Sequence, residues 1–161
     1  MDISTLKVYI GSDHAGYNLK EELKKFLTEK KVSFVDLGSF STESVDYPDI
    51  AREVSEKVTE EKGSFGVLAC GTGTGMAMAA NKSEGIRAAN CVNELQARLA
   101  RMHNDANVIC LGGRVIGTEL AKSILEVFLN TPFSREERHE RRVKKMEKEA
   151  ESPAKDSDLA D

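Results

Sequence analysis

The sequence predicts an α/β domain, a three-layer α/β/α sandwich on a five-stranded parallel sheet, with one extra helix at the C-terminus. Three observations carry that prediction. Short apolar runs alternate with amphipathic stretches along nearly the whole chain. The spacing of that alternation is the spacing of strand–helix–strand units, which put helices on both faces of a parallel sheet. Glycines and polar residues cluster just after the apolar runs, where parallel sheets bind their ligands.

The elements follow in order. Leu6 to Ile10 reads as the first strand, and Gly16 to Lys30 as a helix with Leu19, Leu23, Phe26 and Leu27 on one face. Val32 to Leu37 is the second strand, closed by Gly38-Ser39. A loop from Phe40 to Tyr47 ends at Pro48, a residue suited to the first turn of a helix that runs to about Glu61. The third strand covers 65–69, and after Cys70 and a five-residue glycine turn the next helix is expected at Met76 to Ala80. Gly85 to Cys91 is the fourth strand and Glu94 to Arg101 its helix. Asn107 to Leu111 is the fifth strand, followed by a helix from about Gly117 to Leu129. Thr131-Pro132 breaks that helix, and a highly charged last helix begins near Arg135. The arrangement is Rossmann-like in its layers. The domain spans 1–147; the tail 148–161 reads as charged and disordered.

The densest chemistry is Cys70-Gly71-Thr72-Gly73-Thr74-Gly75. Glycines at 71, 73 and 75 let the backbone curl with its N–H groups inward, beside a thiol delivered by a strand. Such donors, with the positive end of a following helix, favour an anion or a developing oxyanion beside the sulfur. The plainer alternative is a tight turn with Cys70 as a small buried hydrophobe. Asp13-His14, just after the first strand, can bind hydroxyls, transfer protons or meet a phosphate, while Ser12 or Asp13 can equally cap the next helix. His103 sits just past a helix end, where a cation is favourable in any case. Arg135, Arg138, Arg142 and Lys145 share a helical stripe able to grip one phosphate, although interleaved glutamates also make it an ordinary solvated face. Arg114, flanked by glycine directly after a strand, is the more specific anion ligand.

Composition narrows the classes. The 161 residues carry 23 basic and 27 acidic side chains, a net charge of −4, so nucleic acid or an anionic membrane is not indicated as a partner. No apolar run has the length of a membrane span, and the N-terminus has no secretory pattern. Three cysteines, 70, 91 and 110, at expected strand ends fit reduced thiols in a cytoplasmic protein. There is no metal-ligand spacing, so a metal is unsupported, and the glycine pattern is neither a dinucleotide fingerprint nor a Walker A loop, which leaves nucleotide binding a minor alternative.

Taken together, Gly11-Ser12-Asp13-His14-Ala15-Gly16, Asp46-Tyr47-Pro48, Cys70 to Gly75, Ala80-Asn81-Lys82, Gly85-Ile86-Arg87, His103-Asn104, Gly112-Gly113-Arg114 and Arg138-His139-Glu140-Arg141-Arg142 resemble the type B ribose-5-phosphate isomerase family, which includes galactose-6-phosphate isomerase subunits. The motifs run in the family's order over residues 6–147. The resemblance implies cofactor-free aldose–ketose isomerisation of a sugar phosphate, chiefly ribose 5-phosphate to ribulose 5-phosphate, through an enediolate. A six-carbon sugar phosphate (galactose or allose 6-phosphate) and a non-catalytic phosphate- or nucleotide-binding module are the alternatives. Cys70 is implied as the base, since Thr74 and Gly75 stand where some members place a glutamate; donors of the turn typically stabilise an enediolate oxygen by ~3 kcal/mol each. Thr72 is implied to orient the thiol or a hydroxyl, and His103 to open the sugar ring. Asp13 and Asn104 are implied to contact sugar oxygens, with Tyr47 and the backbone of Gly71, Gly73, Thr74 and Gly75 also lining the substrate. His14, Arg114, Arg138 and Arg142 are implied to grip the phosphate. The resemblance further implies a homodimer with shared sites, with pairing into a tetramer left open.

Overall fold

The computed structural model describes residues 2–147; the tail from 148 onward lies outside the described residues. The expected strands and helices are all present. The five strands are Lys7–Ser12 (β1), Ser33–Asp36 (β2), Phe65–Cys70 (β3), Ala88–Asn90 (β4) and Val108–Gly112 (β5). The helices are Tyr17–Glu29 (α1), Tyr47–Glu60 (α2), Thr74–Ala80 (α3), Glu94–Asn104 (α4), Thr118–Asn130 (α5) and Glu137–Glu147 (α6). A short 3-10 turn, Ile3–Thr5, precedes β1.

All strand pairs are parallel, in the order β2-β1-β3-β5-β4. The chain leaves β1 for β2 on one side and returns to β3 on the other, so the strand order reverses between β1 and β3. A crevice at such a reversal, beyond the carboxyl ends of the strands, is where open α/β sheets bind ligands. Side chains alternate across the sheet with period two. Val8, Ile10, Val67, Ala69, Ile109 and Leu111 face α1, α4 and α5. Tyr9, Leu68, Cys70, Val108 and Cys110 face α2 and α3. Glycine permits close layer contact at two places. A Cβ at Gly16 would lie 2.3 Å from the Ala69 carbonyl, so the start of α1 rests directly on the end of β3. A Cβ on Gly66 would lie 3.0 Å from the Val54 side chain of α2.

Several expected boundaries move, each for a local reason. The glycine turn is three residues long, because only Gly73 takes a positive φ, +80°, and Thr74 already begins α3. Strand β4 is shorter than 85–91: Gly85 has φ +77° and the Arg87 N–H is taken by the Asn107 side chain. The outward-facing groups of Ala88 on this edge strand are closed by the Asn81 amide, which donates to the Ala88 carbonyl at 2.9 Å and accepts from its N–H at 2.8 Å. Helix α4 continues to Asn104, so His103 lies inside its last turn. Arg135, with φ +55°, precedes α6, leaving Arg138, Arg142 and Lys145 as the stripe. Ser12 does not cap α1; its hydroxyl is buried without a partner among the described residues, while the Asp13 carboxylate accepts from the Gly16 N–H at 2.9 Å. Cys110 lies in the middle of β5 rather than at its end.

Candidate functional site

The carboxyl ends of β1, β3 and β5 converge through backbone contacts. The Asp13 N–H donates to the Ala69 carbonyl at 3.1 Å, and the Gly113 N–H to the Cys70 carbonyl at 2.8 Å. The Arg114 N–H donates to the Gly71 carbonyl at 2.9 Å. A Cβ at Gly112 would lie 2.6 Å from the Thr72 carbonyl, so bare backbone is needed where β5 passes the glycine turn. These bonds gather Asp13, Cys70, the turn and Arg114 within one small region at the strand reversal.

Within it, the Gly73 N–H donates to Cys70 Sγ at 3.1 Å. Cys70 is buried, on the α2/α3 face of the sheet. The Thr74 N–H is 3.2 Å from the Thr72 hydroxyl, so the two threonines brace the turn and the first residue of α3. Arg114 brings its guanidinium to 3.5 Å of the position a Gly71 Cβ would occupy, which sets a cation beside the turn. Tyr47, the first residue of α2, lays its ring against Gly75; a Cβ there would fall 2.8 Å from the ring. This explains a glycine inside a short helix. The His14 Nδ1 accepts from the Val45 N–H at 3.3 Å, which leaves Nε2 as the ring's donor nitrogen.

Asn90, the last residue of β4, is a member of this region that sequence reasoning missed. In the orientation that satisfies both ends of its amide, it donates to the Cys110 carbonyl at 3.2 Å and accepts from the Thr74 hydroxyl at 3.2 Å and N–H at 3.3 Å. It therefore ties the glycine turn to β5. Its sequence signal was a polar residue within the expected fourth strand, 85–91.

His103, Asn104, Arg138 and Arg142 lie elsewhere. Helix α4 runs antiparallel to the sheet, so its last turn comes down at the amino ends of the strands. The Arg101 guanidinium stacks on Phe65, the first residue of β3, with 4.9 Å to the ring centroid. It also donates to the Ala106 carbonyl just before β5. Cys70 is the last residue of β3, five residue steps away, on the order of 16 Å along the strand. The His103 ring stacks on that of His139 in α6, centroids 4.3 Å apart, and His139 shares a 2.8 Å hydrogen bond with the Ser134 hydroxyl. Burial, with the neighbouring His103, pushes His139 below the ordinary histidine pKa. Arg142 and Arg138 are exposed on α6, Arg138 paired to Glu136 at 2.9 Å. The expected site residues thus form two groups at opposite ends of the sheet.

The thiols differ sharply. Cys91 and Cys110 are fully buried; burial pushes Cys91 up to about 11 and Cys110 well above its ordinary value. Neither has the N–H contact that Cys70 has among the described residues.

Residues 8–146 match the family model described as Ribose/Galactose Isomerase. The chain is 43% identical over 137 residues to ribose-5-phosphate isomerase B of Escherichia coli, covering 85% of this chain and 91% of that one. It is similar to a ribose 5-phosphate isomerase structure from Thermotoga maritima, with 50% identity, a TM-score of 0.86, and 89% and 98% of the two chains covered. The type B ribose 5-phosphate isomerase of Trypanosoma brucei gives 44% identity and a TM-score of 0.85, covering 89% and 97%. With the family model spanning most of its length and this fold beneath it, the chain belongs to the Ribose/Galactose Isomerase family.

Proposed function

We propose that this chain interconverts ribose 5-phosphate and ribulose 5-phosphate without a cofactor, using Cys70 as the base. The observation that carries this reading is the Cys70 sulfur facing the Gly73 N–H in the crevice shared by Asp13 and Arg114. Pure phosphate binding needs the glycine turn and arginines but no thiol. Sγ of Cys70 takes the proton from C2 of the open-chain aldose, and the electron pair moves to the C1 carbonyl oxygen, giving an enediolate. The same sulfur returns the proton to C1 while the C2 hydroxyl proton passes to the C1 oxygen, leaving the ketose. Backbone N–H groups of the turn face the developing oxyanion, the kind of donor worth about 3 kcal/mol each. Asp13 contacts the sugar hydroxyls, Thr72 orients the thiol or a hydroxyl, and Tyr47 closes one wall.

His103 as ring opener, Asn104 as a sugar contact, and Arg138 and Arg142 as phosphate ligands are too distant to serve the Cys70 of their own chain. The reading therefore includes a homodimer in which α4 and α6 of one copy complete the site of the other, with His14 and Arg114 completing the phosphate grip. Three free cysteines suit a cytoplasmic enzyme.

The test compares kcat/KM for ribose 5-phosphate with that for galactose 6-phosphate and allose 6-phosphate, in wild type and Cys70→Ala. The proposal expects the five-carbon substrate to lead, and Cys70→Ala to lose solvent exchange at C2 while still binding ligand. A six-carbon lead reassigns the substrate; unchanged turnover in Cys70→Ala removes the base.

A further inference from the structure

Lys20 is fully buried, a position where an ammonium is costly unless its donors are met. Its Nζ lies 2.7 and 2.8 Å from the two Asp36 oxygens and 2.5 Å from the Ser39 carbonyl. The rings of Tyr17 and Phe40 flank it at 5.5 and 5.2 Å. Lys24 joins Asp36 from the solvent side at 2.8 Å and Glu21 at 2.9 Å. Burial acts to raise the Asp36 carboxyl, but the two lysines and the Gly38 N–H outweigh it and leave it below its ordinary value.

The cluster leads directly to the site. Asp36 accepts from the Gly38 N–H at 2.9 Å. The Gly38 carbonyl accepts from the Ser12 N–H, and the Ser39 N–H donates to the Ser12 carbonyl, each at 2.6 Å. Ser12 is the residue before Asp13 and His14. From Ser39 the chain continues to Val45, which meets His14, and to Tyr47, which packs on Gly75. A single buried ammonium therefore joins α1, the end of β2 and the loop that supplies one wall of the crevice.

We infer that Lys20 is a positioning residue for the sugar-phosphate site: through Asp36 and the Ser39 carbonyl it pins the 38–40 turn to Ser12 and so sets the placement of Asp13, His14 and Tyr47. The inference rests on the isomerase reading above. Lys20 touches no reacting atom; its effect falls on groups that take up the sugar phosphate rather than on the Cys70 proton step.

Four variants test this: Lys20→Met, Lys20→Gln, Asp36→Leu, and Lys20→Met combined with Asp36→Leu, each assayed well below its own Tm. In Lys20→Met, KM for ribose 5-phosphate is expected to rise about tenfold with kcat changed less than about threefold. The double variant replaces the ion pair by an apolar pair and recovers Tm, because no charge is left unmatched in the core. Its KM stays raised, because the Ser39 carbonyl has still lost its donor. Lys20→Gln, which keeps a donor, gives a smaller rise in KM. The inference is overturned if KM recovers together with Tm in the double variant, since Lys20 then serves stability alone. It is overturned equally if Tm falls and both kinetic constants stay at wild type. A wild-type protein that isomerises no sugar phosphate, of five or six carbons, sinks the parent reading instead, which the wild-type assay shows before any variant is made.

Discussion

The Gly73 N–H points at Cys70 Sγ from 3.1 Å, across a turn in which Gly73 alone adopts a left-handed backbone. The two residues are one device. The φ of +80° at Gly73 bends the chain so sharply that its own amide faces back to the sulfur three residues earlier.

Gly73→Ala therefore strikes stability and chemistry together. The backbone strain is of order 1–3 kcal/mol, and the new Cβ would sit 2.3 Å from the Asn90 side-chain amide. Urea unfolding should show a loss in that range, and kcat should fall by at least about tenfold as the amide leaves the sulfur. An alanine variant with wild-type kcat would mean that the Gly73 amide plays no part in the reaction.

The three thiols should separate by reactivity. Alkylation of the native protein at pH 8 is expected to label Cys70 and spare Cys91 and Cys110, which peptide mapping resolves. The same burial makes an alkaline prediction. In the unfolded chain a thiol ionises near 9.0, whereas folded Cys91 resists ionisation until about 11. The unfolded state thus releases protons that the fold retains, so stability is full below pH 9 and declines as pH rises toward 11. Urea midpoints at pH 8 and pH 10 measure the decline, and Cys91→Ala should shrink it.

Two glycines at the starts of helices should respond unequally to the same change. A Cβ on Gly16 meets backbone of Ala69 at 2.3 Å, whereas a Cβ on Gly117 meets nothing within 4 Å. Gly16→Ala must push α1 off β3, a cost of at least about 2 kcal/mol. Gly117→Ala loses only a favourable cap, about 0.5–1 kcal/mol. Thermal unfolding of the two variants decides the order.

Much of this architecture was legible in the residue pattern. Short apolar runs mark the strands and helical spacings the helices, and the clustering of Asp13-His14, Cys70–Gly75 and Gly112–Arg114 after strands marks the ligand end of the sheet. What escaped depends on contacts distant in sequence. Strand order places β5 between β3 and β4, and no local signal encodes that. Lys20 reads as a solvent-facing helix residue because its acceptors, Asp36 and Ser39, come from another element. Asn90 lies inside the expected strand 85–91 with nothing local to mark it until Thr74 and Cys110 are placed beside it. Gly75 looks like turn chemistry, but a tyrosine ring 28 residues earlier in the chain is what excludes a side chain there.

On the proposed reading, one working site takes Cys70 from one copy and His103 from another. Mixing Cys70→Ala with His103→Ala after co-refolding tests it directly. Each variant alone is expected to be nearly inactive on ribose 5-phosphate. In random dimers half the molecules are mixed and each mixed dimer regains one intact site, so activity should return to about one quarter of wild type. A mixture that stays as inactive as its two components would contradict the shared site.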